Sequence, residues 1–151
     1  MIRSESYAVL VKPTVLEVEA FVNEALAQRR MLIVVGRCWV HYVGRASSKL
    51  EKGERILMIK TDGSLLIHRS TGYEPVNWMP GRDVVFHVKT RDQVLEVRAL
   101  RRKPDESVKV FFDNVHFVSS LNLKDEGGFS LYASEEDMQK AILLKPELLE
   151  E

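Results

Sequence analysis

The stretch RILMIKTDGSLLIHR, from Arg55 to Arg69, decides the fold class of this chain. Two apolar runs, Arg55 to Lys60 and Ser64 to Arg69, flank the dipeptide Asp62-Gly63. Asp-Gly favours a tight hairpin, because both residues can adopt a positive φ. The stretch therefore predicts two antiparallel strands joined by a short turn.

Similar strand patterns occur on both sides of this hairpin. Met31 to Val43 is rich in β-branched and aromatic residues, and the glycine within it indicates a bulge or bend. A second hairpin is expected from Asp83 to Lys89 and Val94 to Arg101, and a further long strand from Val108 to Val118. Many antiparallel strands joined by turns predict a mainly β (α+β) fold, a half-open antiparallel β-barrel or sandwich.

One amphipathic helix is expected near the N-terminus. Thr14 with Glu17 three positions later makes a capping box, in which each side chain bonds the backbone amide of the other residue. Apolar residues then recur at helical spacing, at Val15, Val18, Phe21, Val22, Ala25 and Leu26. This helix is expected to cover the sheet, and it shows no pattern typical of chemistry.

The C-terminal region has a different character from the β body. The body is expected to span residues 1–123, and residues 124–133 are a polar linker that contains Gly127-Gly128. Ser134 is a suitable N-cap for a short helix with an acidic first turn, over residues 134–151. We expect this helix to begin a further domain, so that the chain is a piece of a longer protein.

Charge is unevenly distributed, although the 151 residues carry 22 basic and 22 acidic side chains. Residues 31–110 hold fifteen Lys or Arg against nine Asp or Glu, whereas residues 111–151 hold three against nine. A basic body can contact several phosphates, with binding that weakens as salt rises. The alternative is an ordinary solvated surface.

No segment of the sequence is typical of a membrane protein or a secreted one. The longest apolar run is far shorter than the ~18 residues of a membrane helix, and the N-terminus lacks the pattern of a secretory signal. A cytoplasmic location is therefore expected.

No catalytic arrangement is complete in the sequence. Metal-dependent nucleases of the restriction-enzyme type need an acidic residue and then Asp/Glu-x-Lys, but no acidic residue here has Lys two positions later. The nearest match, Glu96-Val97-Arg98, carries an arginine, which does not readily lose its proton. The four histidines are scattered, and the single Cys38 excludes a disulfide and a cysteine zinc site. We expect no catalytic residue, metal or cofactor in this chain.

Aromatic, amide and basic residues at strand ends and turns form the stronger functional pattern. Trp78 stands between two prolines in a segment expected to be a loop, where it can act as a stacking platform for a base. It can equally cap the open end of the barrel. Asn77 can contact base edges, and nearby basic residues can contact phosphates. The expected DNA-binding residues are Tyr42, Arg45, Lys49, Arg69, Asn77 and Trp78.

The same segments resemble the N-terminal domain of the NucS/EndoMS endonucleases, especially the archaeal ones. The resemblance covers roughly residues 7–123, and residues 124–151 resemble the start of the family's second domain. In chain order, the matching segments are Gly36-Arg37-Cys38, Tyr42, Gly44-Arg45-Ala46, Lys60-Thr61-Asp62-Gly63, His68, Gly72-Tyr73 and Pro75-Val76-Asn77-Trp78.

The resemblance implies a half-open β-barrel that forms homodimers, binds DNA and is linked to a RecB-like nuclease domain. Family members cut both strands at mismatched sites and also act on single-stranded or branched DNA. Mismatched bases flip out into aromatic-lined pockets of this domain. Trp78 matches the stacking tryptophan and Asn77 the adjacent base-contacting residue. Tyr42 and Arg45 match the segment that leads into the Gly-Arg-Ala turn, and Arg69 matches a basic position after the first hairpin.

The resemblance also implies functions that lie outside this chain. The metal-binding acids and lysine, which use Mg²⁺ or Mn²⁺, and the motif that binds the sliding clamp are expected beyond residue 151. The chain is therefore expected to bind DNA without cutting it. Two other interpretations stay open: a pure dimerisation or adaptor module, and a non-specific single-stranded DNA binder.

Overall fold

Strands dominate the structure, a computed structural model that describes residues 1–131. Within these residues, the elements in chain order are β1 (Ile2–Arg3), β2 (Tyr7–Val11), α1 (Val15–Ala27), β3 (Met31–Val43), β4 (Ser47–Ile59), β5 (Leu65–His68), β6 (Asn77–Met79), β7 (Val84–Arg91), β8 (Val94–Arg101) and β9 (Glu106–Leu121).

All strand pairs are antiparallel, and the sheet stays open. The strands lie in the order β1-β2-β9-β3-β4-β5-β6, and β8 pairs with the N-terminal half of β9 and carries β7 on its other side. Within the described residues, β1, β6 and β7 each pair on one side only. The prediction of a mainly β, half-open antiparallel fold is confirmed.

The two faces of the sheet have different environments. Side chains that point to what we call the inner face, such as Leu32, Leu57 and Phe112, are fully buried. α1 packs on this face against β3, β7, β8 and β9. The opposite face, here called the outer face, is covered by no other element of residues 1–131. The surfaces of the sheet that stay accessible to a ligand or partner are therefore the rim of the inner face and the whole outer face.

Helix α1 forms where the capping box predicts it. The Thr14 amide donates to Glu17 Oε1 at 2.8 Å, and the Glu17 amide donates to Thr14 Oγ1 at 3.2 Å. Val18, Phe21 and Val22 of the predicted apolar stripe are buried in the core. The helix thus closes part of the inner face, as expected.

Gly36 lies at the predicted irregularity of β3. The register of β3 against β9 shifts between Val35 and Gly36 and again between Arg37 and Cys38. A Cβ atom on Gly36 would contact the Asn114 carbonyl oxygen and lie 2.9 Å from the Val115 Cα atom. Only glycine therefore lets the two long strands approach each other here, and the predicted bulge is confirmed.

The turn at Asp62-Gly63 differs from the expected one, although the hairpin itself is confirmed. Only Gly63 has a positive φ, 91°, and its amide donates to the Lys60 carbonyl at 2.9 Å. The Asp62 carboxylate instead accepts the Ser64 amide at 2.9 Å. A three-residue turn over 61–63, in which glycine takes the left-handed position, replaces a two-residue turn with two positive φ values.

The segment around Trp78, predicted as a loop, is a strand. Asn77–Met79 pairs with β5 as a short edge strand, with Trp78 opposite Leu66. Proline at positions 75 and 80 stays outside the paired residues, where no amide is needed for the ladder. β4 begins at Ser47, so the polar turn after β3 contains only residues 44–46.

The tail lies partly beyond the described residues. Residues 122–131 have no regular secondary structure. The short helix predicted over 134–151 falls outside the described range, and the domain boundaries at 123 and 133 stay predictions. Within residues 1–131, no helix has the length and apolar character needed to cross a membrane.

Candidate nucleic-acid interface

A cavity of about 420 Å³ opens at the rim of the inner face. Three of the six predicted DNA-binding residues line it: Tyr42, Asn77 and Trp78. The other polar residues of its wall are Ser48 on β4, Arg101 at the end of β8 and Glu106 at the start of β9. Aromatic surface beside amide, hydroxyl and charged groups suits a flat, polar-edged ligand such as a nucleobase.

Trp78 is the most exposed large side chain of the cavity wall. Its side chain is 61% exposed, so it contributes little to the core. The same indole lines a second cavity of about 420 Å³, formed with Lys60, Leu66 and Pro75 among others. Trp78 thus lies on an edge strand with open space on both sides, a position from which it can stack on a ligand.

Tyr42, Glu106 and Arg101 form a hydrogen-bonded group inside the cavity. The Tyr42 hydroxyl donates to Glu106 Oε2, and Arg101 Nε donates to Glu106 Oε1 at 2.5 Å. The hydrogen bond from Tyr42, assisted by Arg101, lowers the pKa of Glu106, and the same bond raises the pKa of Tyr42. At neutral pH this group therefore holds a carboxylate and a protonated phenol in fixed positions.

Gly44 allows Tyr42 to take its place in this group. A Cβ atom on Gly44 would contact the Tyr42 hydroxyl and lie 2.8 Å from Cζ of the ring. The next residue, Arg45, is exposed on the same turn. After the hydrogen bonds, the positive charge of Arg45 is a further cause that lowers the pKa of Glu106. Arg45 therefore stands at the cavity rim, within electrostatic reach of its contents.

Two predicted residues lie away from the cavity. Lys49 pairs with His41, one position from the Tyr42–Ser48 pair, so its side chain points to the outer face. Arg69 is exposed just after β5 and does not line the cavity. The structure thus brings together Tyr42, Asn77 and Trp78, with Arg45 at the rim, and leaves Lys49 and Arg69 outside.

Comparison with known proteins shows to which family the chain belongs. Residues 28–128, more than half of the chain, match the family described as the endonuclease NucS N-terminal PH-like domain. The chain belongs to the NucS endonuclease family.

Individual NucS relatives match along nearly the whole chain. Endonuclease NucS of Methanocaldococcus jannaschii is 38% identical over 152 residues, which cover 100% of this chain and 57% of that protein. The NucS of Thermococcus kodakarensis is 38% identical over 146 residues, covering 97% and 57%. A solved structure of an EndoMS–dsDNA complex superposes with a TM-score of 0.81 at 36% identity, over 97% of this chain and 60% of that one. The chain therefore spans somewhat more than half the length of the NucS proteins that it matches.

The described part of this NucS chain holds no ready-made metal centre. Within residues 1–131, no group of three or more His, Cys, Asp or Glu side chains is arranged to hold a metal ion. The only cysteine, Cys38, is buried, and burial raises the pKa of its thiol.

Sequence reasoning missed Ser48, Arg101 and Glu106 as residues of the NucS cavity. Glu106 lies 64 positions from Tyr42, and their contact depends on the pairing of β3 with β9. Arg101 and Glu106 are direct cross-strand partners at the end of the β8–β9 hairpin. Their opposite charges on the two sides of the turn were the one available signal.

Given the DNA-binding role proposed below, replacing Gly44 with alanine is expected to weaken DNA binding by about 1 kcal/mol, roughly fivefold, because Tyr42 must leave Glu106. Binding measured by fluorescence anisotropy tests this. In a Tyr42→Ala background, Gly44→Ala should have no further effect, since the displaced ring is already gone. An equal loss in both backgrounds would show that Gly44 does not act through Tyr42.

Proposed function

We propose that this chain is the DNA-binding and dimerisation domain of a mismatch-specific endonuclease that recognises extruded bases by aromatic stacking. The supporting observation is Trp78, which is 61% exposed on an edge strand beside a cavity lined by hydrogen-bonding side chains. The NucS family membership and the likeness to an EndoMS–dsDNA complex support DNA as the ligand.

Recognition would use a base that has left the duplex stack. Extruding a base costs a few kcal/mol, and less for a mismatched base than for a paired one. A cavity that accepts any extruded base would therefore select weak pairs. Trp78 would supply the stacking surface, and the Asn77 amide would donate to and accept from base edges. Glu106 accepts hydrogen bonds from Tyr42 and Arg101 and would hold both beside the base.

Phosphate contacts would come from the basic residues around the cavity. Arg45 at the rim is the nearest of the predicted ones, and Arg69 after β5 is exposed and free to reach a neighbouring strand of DNA. Such contacts position the nucleic acid without reading its sequence.

A second copy of the chain would cover the apolar part of the outer face. Two cross-strand rows run here over β2, β9, β3 and β4, and their members are Val9, Ser119, Ile33 and Met58, then Val11, Phe117, Val35 and Ile56. Neither row contains an acidic residue, lysine or arginine. This broad strip without charged side chains, here called the apolar strip, fits a homodimer interface better than open solvent.

The remaining steps of the proposed activity belong to the full-length protein. We propose that the metal-binding acids, with Mg²⁺ or Mn²⁺, and the sliding-clamp contact lie outside residues 1–151, and that the full-length protein works in the cytoplasm. By itself this chain would bind DNA without cutting it. Residues 124–133 would link it to the RecB-like nuclease domain that begins at 134–151.

Affinity for three oligonucleotides of equal length tests the proposal. We expect tightest binding to a mismatched duplex, because its bases are extruded at lower cost than those of a matched duplex. Equal affinity for single strands and mismatches would indicate a non-specific single-strand binder, and no binding would leave the adaptor interpretation. Incubating the same mixtures with Mg²⁺ or Mn²⁺ should give no cut product; cleavage would show that an active site is present.

Sedimentation of the Ile56→Glu variant tests the proposed dimer face. A carboxylate at this position would be buried without a partner in a dimer, so dimerisation should weaken at least about tenfold. Leu16→Glu, at an exposed apolar position on α1, is the matched control and should sediment like the wild type. A dimer that tolerates Ile56→Glu as well as Leu16→Glu would place the interface elsewhere.

A further inference from the structure

A row of basic residues crosses the outer face at the end away from the apolar strip. Its members are direct cross-strand partners on five adjacent strands: Lys49 on β4, His41 on β3, Lys109 on β9, Arg98 on β8 and His87 on β7. Partners in antiparallel strands point to the same side of the sheet, and adjacent strands lie about 4.8 Å apart, so the row is roughly 19 Å long.

The lysine and arginine side chains of this row lack the ion-pair partners that Arg37 and Lys52 have on the same face. Arg37 and Lys52 both bind Asp113, at 2.8 and 3.1 Å, in the zone between the apolar strip and the row. By contrast, Lys49, Lys109 and Arg98 take part in no ion pair within residues 1–131. Arg98 Nε also has no hydrogen-bond partner there. The row therefore carries three positive charges that have no ion-pair partner in the described part of the chain.

The row continues into a basic depression. His87 at its end also lines a surface cavity of about 860 Å³, whose wall includes Arg82, Arg102 and Lys103. The positive surface thus extends past the last strand of the sheet. Such an extent matches an elongated anion rather than a single small one.

Aromatic residues next to the row support it and are not free for stacking on bases. Phe111 meets the His41 ring edge-on at 5.2 Å and stacks on Trp39 at 5.5 Å. Lys52 Nζ lies 4.7 Å from the centre of the Trp39 ring. Because these rings are already in contact, the row offers charges in a fixed line and little aromatic surface. Such a line of charges suits a chain of phosphates.

We propose that this basic row binds the phosphodiester backbone of nucleic acid, as a second contact surface separate from the Trp78 cavity. The proposal rests on the proposed DNA-binding function. His41 and Tyr42 are neighbours in β3 and point to opposite faces, and Arg45 lies on the turn that joins β3 to β4, close to both. Nucleic acid held at the cavity would pass this turn and continue along the row. The apolar strip begins six residues away along β3, at Val35, so a dimer formed there leaves the row open.

The salt dependence of binding tests the proposal. Each phosphate contact contributes about 0.9 to the slope of log affinity against log salt for duplex DNA. The Lys49→Gln/Lys109→Gln variant should therefore lower this slope by about two for a long duplex. The control, Arg3→Gln/Lys12→Gln, removes the same charge from the far end of the sheet and should leave the slope unchanged. Lys49→Gln alone, at an exposed position, should lower the slope by about one, and it guards against misfolding of the double variant.

Each outcome separates this proposal from the proposed function. If both double variants change the slope equally, or neither does, the row is not a binding surface although DNA binding stands. If the wild-type chain binds no DNA, the proposed function fails first. Repeating the titrations with a long single strand shows whether duplex or single-stranded DNA supplies the phosphates. The Lys49→Gln/Lys109→Gln variant should lose more of the salt slope with the form of DNA that lies along the row.

Discussion

Replacing Trp78 with alanine is expected to weaken binding to a mismatched duplex by about 1–3 kcal/mol, roughly 5- to 150-fold. The indole is 61% exposed and contributes little to the core, so the loss should appear in DNA affinity and not in stability. Anisotropy titrations together with urea unfolding of the same variant separate these two quantities.

Trp78→Phe is the matched control for this prediction. Phenylalanine keeps an aromatic face and should retain most of the affinity, whereas alanine removes it. If alanine binds as tightly as phenylalanine, stacking at this position makes no contribution, and the cavity is not a base-binding site.

The Gly36→Val variant is expected to be destabilised by about 1–3 kcal/mol or more, a large fraction of the stability of a domain this size. The new side chain would contact the Asn114 carbonyl and crowd the Val115 Cα atom, which is backbone that cannot rotate away. Because β3 and β9 form the central pair of the sheet, separating them disturbs both faces.

Urea denaturation of Gly36→Val and Gly128→Val measures this effect. No atom lies within 4 Å of a Cβ atom on Gly128, so the Gly128→Val variant should have the same urea midpoint of unfolding as the wild type. Equal midpoints for the two variants would mean that the bulge accommodates a side chain and that the close approach at Gly36 is not required.

Local sequence patterns predicted most of the fold. The capping box at Thr14 and the β-branched and aromatic composition of β3 depend on residues a few positions apart, so helix α1 and strand β3 lie where they were expected. The Asp-Gly hairpin was predicted for the same reason. Its turn geometry was not, because the choice between two and three turn residues depends on how the flanking strands twist.

Long-range pairing explains what the sequence did not reveal. Asn77–Met79 looked like a loop, since the four residues between Pro75 and Pro80 carry no strand pattern, but the free edge of β5 supplies hydrogen bonds to Asn77–Met79. Glu106 and Arg101 were not expected in the site, because they meet Tyr42 only after β3, β8 and β9 pair. Lys49 was expected among the DNA-binding residues, but the face to which it points depends on the irregular pairing of β3 with β4, which the sequence does not show.

The fluorescence of Trp78 upon DNA binding tests the central proposal most directly. The chain contains two tryptophans, so a Trp39→Phe variant leaves Trp78 as the only one. We predict that a mismatched duplex quenches this emission and that a matched duplex of the same sequence context quenches it much less, because only the mismatch releases a base at low cost. Emission that stays unchanged at saturating mismatched DNA, or falls equally with both duplexes, would contradict recognition of an extruded base at Trp78.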